Sequence, residues 1–172
     1  RQKKIKSMSN TKHLWAPWKM DYLRNKKVDS QKIFTDKANE DADKENLILY
    51  RDKNCYVIMN YYPYNNGHLM VVPYKEVDRF EDLEDDELSE IIVLSKKIMK
   101  ILRRNFSCDG FNFGANVGEG SGASIQSHLH YHIVPRWKSD TSFMPVIGNT
   151  KVMPQTLHDT YDQLFKLFKE EL

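Results

Sequence analysis

Two cysteines, Cys55 and Cys108, are all that this 172-residue chain carries. That is too few for a disulfide framework or a cysteine-rich zinc site. Both read as small buried hydrophobes and point to a reducing compartment. No apolar run approaches the roughly 20 residues of a spanning helix, and mean hydropathy is -0.66, so no membrane association is expected. Charge of one sign is lacking too. Lysine and arginine number 26 against 24 aspartate and glutamate, a net charge of +2. A chain so balanced projects a weak field, and a nucleic-acid partner is not expected. Residues 1–7 (RQKKIKS) are basic but lack the following apolar core of a secretory signal. Residues 1–12 are expected to be a basic flexible tail on a cytoplasmic protein, nuclear also being open to a eukaryotic one.

Residues 13–172 read as one domain. No internal repeat is present. The stretch 13–23 (HLWAPWKMDYL) packs Trp15, Trp18 and Tyr22 closely, as an aromatic arm laid on the core or on a partner subunit would. Residues 36–46 (DKANEDADKEN) read as a loop or solvated helix. Residues 55–60 (CYVIMN) and 68–73 (HLMVVP) read as strands joined through an Asn-Gly turn. A third strand is expected at 110–117, where Phe111, Phe113 and Ala115 alternate with small or polar residues. Leu88, Ile91, Ile92, Ser95, Ile98, Met99 and Leu102 form an apolar stripe at helical spacing, which predicts a long helix over 84–106. Acidic residues crowd its start and basic residues its end, as the helix dipole favours. A second helix is expected over 156–171, with Leu157, Tyr161, Leu164, Phe165 and Phe168 on one face. Strands in hairpin order around a long helix make the fold α+β with an antiparallel sheet.

Glycine is scarce and concentrated. Five of the seven glycines fall within 110–122. Glycine admits positive φ and close approach of backbone to a ligand, and successive N–H groups in such a loop can bind an anion. A plain surface loop is the competing reading. Gly118-Glu-Gly120-Ser-Gly122-Ala123 fits G-x-G-x-x-A formally, but a β-type run follows where a dinucleotide fold needs a helix.

That run is His128-Leu129-His130-Tyr131-His132-Ile133-Val134. On a strand the three histidines share one face and Leu129, Tyr131 and Ile133 the other. Three of the six histidines on one face are hard to explain as packing. Two chemistries fit. A His-x-His pair can bind zinc. Same-face residues lie roughly 6.6 Å apart, however, so the outer pair is about 13 Å apart and one ion cannot take all three. Alternatively a central imidazole attacks phosphorus and forms a covalent intermediate. The adjacent Gly-Ser loop, an anion-binding backbone, favours phosphoryl or nucleotidyl chemistry, with metal-dependent hydrolysis still open.

His-φ-His-φ-His-φ-φ resembles the signature of the histidine triad (HIT) superfamily. The resemblance extends to GHLMVVPYKEVDRFEDL (67–83), PRW (135–137), FMPVIGNTKVMPQTL (143–157) and the WAPW…YL arm (15–23). These are similar to the fragile histidine triad branch of dinucleoside polyphosphate hydrolases and to its microbial relatives, some of them diadenosine tetraphosphate phosphorylases. The resemblance implies a HIT fold: an antiparallel sheet of about five strands with one long helix and a C-terminal helix, assembled as a homodimer. It implies His130 as the nucleophile, with His128 and His132 orienting it and contacting phosphate oxygens. His68 matches a supporting histidine on the neighbouring strand. Asn60 matches a ribose-binding position, although a strand-ending turn explains it as well. Asn116 and Trp137 match active-site positions of the phosphorylase-like group, and core packing explains Trp137 equally.

Gly122 is expected to belong to a phosphate-binding loop. Ser124 stands where many hydrolases of the branch carry glutamine. This departure resembles the phosphorylase-type relatives and leaves the acceptor, water or phosphate, open. The implied substrate is a diadenosine tri- or tetraphosphate or another purine nucleotide. Mg2+ or Mn2+ is expected to ride on its polyphosphate, and no protein metal cage is expected. A nucleotide-binding signalling role is the non-enzymatic alternative.

Overall fold

The structure, a computed structural model, describes residues 32–138, 140, 143–148 and 150–172. The basic tail and the aromatic arm with Trp15, Trp18 and Tyr22 lie outside the described residues. Helix α1 is Ile33–Asn39 and α2 is Asp43–Asn46. The sheet comprises β1 (Ile48–Arg51), β2 (Cys55–Met59), β3 (Leu69–Pro73), β4 (Gly110–Ala115) and β5 (Tyr131–Arg136). Helix α3 (Asp85–Phe106) links β3 to β4, and α4 (Phe143–Ile147) and α5 (Leu157–Glu171) follow β5. Strand order is β1-β2-β3-β5-β4, and all pairings are antiparallel. This is the expected α+β architecture of five strands with one long helix and a C-terminal helix.

Period-two alternation assigns the two faces of the sheet. Leu47, Val57, Met59, Leu69, Val71, Leu129, Tyr131 and Ile133 pack against Ile91, Leu94, Ile98 and Leu102 of α3 and Tyr161, Leu164 and Phe168 of α5. Burial of this large apolar surface is the main stabilising term. On the opposite face Ile48, Tyr56, Ile58, Met70 and Val72 meet Phe34 of α1. The Tyr56 hydroxyl donates to the Phe34 carbonyl at 2.9 Å, which anchors α1 to the sheet.

Several expectations shift. Strand β1 was not anticipated; its register breaks between Ile48 and Tyr50, and the bulge blurs alternation. The charged stretch 36–46 supplies parts of two short helices. Helix α3 starts with a reciprocal cap between Glu84 and Glu87. Its buried side includes Leu94 and Ile101, whereas Ile92 is exposed. Phe165 of α5 is likewise exposed and stacks on Tyr161.

Strands β2 and β3 pair antiparallel as the expected hairpin. Met59 pairs with Leu69, so residues 60–68 form a long loop. Gly67 sits there at φ +70, a conformation that favours glycine, and the His68 N–H closes the turn on the Asn65 carbonyl.

Most consequentially, β5 begins only at Tyr131, so His128 and His130 precede it. Tyr131 pairs with Val71. Past that point the β3 chain ends at Pro73, which has no N–H to donate. The backbone of 128–130 instead bonds to the segment after β3, Leu129 N–H donating to the Val77 carbonyl at 2.7 Å. The facing of the side chains survives: Leu129, Tyr131 and Ile133 enter the main core, and the imidazoles lie on the other side with Phe34.

Candidate active site

His130 is buried, and its Nδ1 lies 2.8 Å from the His128 carbonyl oxygen. A carbonyl only accepts, so Nδ1 carries the hydrogen. A neutral imidazole has one N–H, and the His130 lone pair is therefore on Nε2. Burial lowers the His130 pKa, although the bond to the carbonyl opposes this. The ring is neutral and nucleophilic at physiological pH. Phe34 lies against it at 4.9 Å between ring centres.

His132 and His68 form a second chain with a fixed direction. The backbone N–H of Tyr64 donates to His68 Nδ1 at 3.1 Å. His68 therefore carries its hydrogen on Nε2, which lies 2.9 Å from His132 Nδ1. His132 accepts there and keeps its own hydrogen on Nε2. The two neighbouring histidines, their rings 4.9 Å apart and nearly perpendicular, thus present opposite functions. His130 offers a lone pair and His132 an N–H donor. Burial pushes His68 down to about 3, helped by the neighbouring His132 and His130. Burial pushes His132 to about 4, with His130 adding to the effect. Tyr64 lies tilted over His68 at 4.8 Å.

His128 is only 1% exposed. Its Nε2–H donates to the Pro73 carbonyl at 2.8 Å, and Nδ1 faces the Thr35 hydroxyl at 3.5 Å. Both ring nitrogens of His128 thus face protein groups. Burial lowers its pKa too, against the bond to Pro73 and the Glu76 charge.

The remaining candidates separate into two groups. Asn60 sits beside His68, its N–H donating to the His68 carbonyl at 3.0 Å. Its side-chain oxygen accepts from the Tyr62 N–H, as the turn reading requires. Asn116 lies one step beyond the Ala115–Tyr131 pair, at the level of His130. Gly122 adopts φ +83 and ends a short 3-10 turn over Glu119–Ser121. Within that turn the Ser121 N–H closes on the Gly118 carbonyl. Ser124 is exposed, and its neighbour Ile125 packs on the histidine-bearing face of the sheet.

Trp137 lies elsewhere. Its indole N–H donates to the Phe106 carbonyl at 3.1 Å. It lines a separate cavity of about 450 Å³ with Asn65, Asn66 and Lys151, and it packs on the main core.

Phe34, Thr35, Tyr64 and Glu76 were not anticipated from the sequence. No spacing in that stretch points to the triad. Among the described residues no group of three or more His, Cys, Asp or Glu side chains is arranged to hold a metal ion, and no helix is long and apolar enough to cross a membrane.

An α+β sheet that aligns a lone-pair imidazole beside a donor imidazole has the groups that nucleophilic histidine chemistry requires. Residues 41–139 match the HIT domain family model, and the chain belongs to that family. It is 41% identical over 155 residues to a protein named AP-4-A phosphorylase from Mycobacterium tuberculosis, covering 86% of this chain and 79% of that one. It is 33% identical over 95 residues to a bis(5'-nucleosyl)-tetraphosphatase (asymmetrical) from Schizosaccharomyces pombe, covering 55% and 52%. The crystal structure of a hypothetical histidine triad nucleotide-binding protein from Sulfolobus tokodaii superposes with a TM-score of 0.60. It is 25% identical and covers 82% of this chain and 89% of that one.

The buried neutral histidines make stability depend on pH. Their folded pKa values lie below the ordinary 6.5. As pH falls below about 6.5 the unfolded chain takes up protons that the folded chain refuses, so stability falls with it and is fully present only above that range. The midpoint of urea unfolding is expected to drop between pH 7.5 and pH 5. The drop is expected to be smaller in His68→Asn. A midpoint flat across that range contradicts the assignment.

Proposed function

We propose that the protein cleaves a dinucleoside polyphosphate, such as diadenosine tri- or tetraphosphate, by transferring a nucleotidyl group through His130. The observation that carries this reading is the hydrogen bond from His130 Nδ1 to the His128 carbonyl, which leaves Nε2 as the nucleophile. In the first step Nε2 attacks the α-phosphorus. A P–N bond forms and the P–O bond to the bridging oxygen breaks, expelling a nucleoside di- or triphosphate. The Nδ1–H stays on the carbonyl, where the hydrogen bond strengthens as the ring becomes cationic. His132 Nε2–H donates to a phosphate oxygen as charge develops there. Mg2+ or Mn2+ on the polyphosphate offsets further charge. Asn60, Asn116, Gly122 and Ser124 border the substrate.

In the second step an acceptor oxygen attacks phosphorus and the P–N bond breaks. Water as acceptor releases a nucleoside monophosphate. Inorganic phosphate as acceptor releases a nucleoside diphosphate. The relative named AP-4-A phosphorylase, 41% identical, favours phosphate, as does Ser124. Anion-exchange analysis of products from diadenosine tri- and tetraphosphate, with and without phosphate, separates the two. AMP formed without phosphate identifies a hydrolase. ADP formed strictly with phosphate identifies a phosphorylase. His130→Ala is expected to fold and to lose turnover by about 10³-fold or more, as removal of a covalent nucleophile does. Turnover retained in that variant contradicts the proposal.

We propose in addition that the protein is a homodimer joined along β4, one of the two edge strands of the sheet. An unpaired strand edge invites pairing with a second copy. Phe113 on this strand is 42% exposed and stacks over Tyr131 at 6.3 Å. The Tyr131 hydroxyl is buried with no hydrogen-bond partner among the described residues, a state that usually needs a missing group. Sedimentation equilibrium is expected to give twice the 20.3 kDa chain mass, and Phe113→Asp to lower it. A wild-type monomer at micromolar concentration contradicts this.

A further inference from the structure

We propose that Asn65, in the loop between β2 and β3, is a positioning residue for the donor of the site, acting through His68 on His132. This rests on the reading of His130 as the nucleophile and His132 as the group that donates to phosphate.

Asn65 is 5% exposed, and its amide nitrogen has two partners. It donates to the Pro135 carbonyl at 2.9 Å and to Asp140 Oδ2 at 3.0 Å. Both partners only accept. A peptide carbonyl has no hydrogen to give, and the Arg136 guanidinium bonded to Asp140 holds that carboxyl well below the usual carboxylate range. The NH2 end of the amide is therefore the end that faces them, and both of its hydrogens are used. Neither side chain of similar shape replaces it. Leucine offers no hydrogen, and aspartate sets a charge against a carbonyl and a second carboxylate.

Pro135 lies on β5, the strand that carries His132. The ladder between β3 and β5 runs from Val71–Tyr131 to Leu69–Ile133, and His68 stands just past its end. There Asn65 continues the attachment with its side chain, tying the turn before β3 to the His132 strand. The turn itself closes on His68. The Asn65 carbonyl accepts from the His68 N–H at 3.2 Å. The Tyr64 N–H donates to His68 Nδ1 at 3.1 Å, and the Tyr64 ring lies over the imidazole. Asn65 thus holds the His68 backbone directly and follows the residue whose N–H holds the His68 ring.

The Tyr64 N–H keeps the His68 hydrogen on Nε2, which faces His132 Nδ1. With the turn released from β5, that constraint is lost. His68 can then carry its hydrogen on Nδ1 and accept from a His132 Nδ1–H. His132 is left with a bare Nε2 and no hydrogen for phosphate. The His130 ring is unaffected, since its bond runs within residues 128–130. Asn66 reaches the other way, to Gln155 Oε1 at 3.4 Å, so the loop keeps an anchor when the Asn65 amide is removed.

The test combines proton–nitrogen correlation NMR of the histidine rings at pH 7 with steady-state kinetics on diadenosine tetraphosphate, magnesium and phosphate present. The proteins are wild type, Asn65→Leu, Asp140→Ala and His130→Ala, each shown to be folded by its thermal midpoint. Asn65→Leu is expected to show both tautomers at His132 where wild type shows one, with the His130 ring unchanged. Its kcat is expected to fall about tenfold or more, as loss of a preorganised donor does, with KM within about twofold. A merely structural role would lower the thermal midpoint and leave the His132 tautomer alone.

Asn65→Leu with wild-type kcat, or with the single wild-type tautomer at His132, overturns the proposal. So does an equal disturbance of the His130 ring, which marks a general loosening. Should Asn65→Leu not fold, Asp140→Ala decides. It removes one of the two acceptors and is expected to shift His132 and kcat in the same direction by less; an unchanged ring and kcat there also overturn the proposal. An inactive wild type, or an active His130→Ala, overturns the underlying reading of the site instead. An unchanged His132 ring in Asn65→Leu beside an inactive His130→Ala overturns this inference alone.

Discussion

One hydrogen bond, from His130 Nδ1–H to the His128 carbonyl at 2.8 Å, organises the site. A peptide carbonyl cannot donate, so it decides which nitrogen of the neighbouring ring keeps its lone pair. The bond spans only two residues, yet its geometry depends on much of the molecule. The carbonyl is placed because the chain at 128–130 has left the sheet and is pinned to Pro73 and Val77. Those residues follow β3, which lies in the middle of the sheet. The sheet in turn is packed against α3 and α5 by the main apolar core.

The same logic of one-way partners extends to the second pair. The Tyr64 N–H can only donate, and this single fact propagates through His68 to His132. Two chains of opposite polarity therefore end on adjacent rings. Burial keeps both rings uncharged, which the arrangement requires, because an imidazolium at His130 has no lone pair to offer. The cost is a folded state that resists protonation at four histidines, and stability is given up below neutrality as a result.

Much of this was legible in the residues. The α3 stripe, the alternation Leu129-Tyr131-Ile133 against the histidines, and the glycine concentration each have a local period or composition. They predicted a helix, a two-faced segment and a turn with positive φ, and these are present. What escaped was non-local or irregular. Strand β1 is broken by a bulge. The strand containing the triad starts three residues later than alternation implies, because its partner strand ends at a proline. Phe34 and Thr35 reach the histidines across the sheet, 93 residues away in sequence for the Thr35–His128 contact. No pattern in residues 33–46 marks them. Trp137 was grouped with the site by resemblance, whereas in the structure it faces Phe106 and a separate cavity.

Backbone partners fix opposite tautomers on His130 and His132. Long-range proton–nitrogen correlation NMR of the histidine rings at pH 7 tests this most directly, with His130→Ala and His132→Ala spectra for assignment. The expected result is a His130 ring protonated at Nδ1 and bare at Nε2, and a His132 ring with the reverse. A His130 ring protonated at Nε2, or charged at that pH, would contradict it.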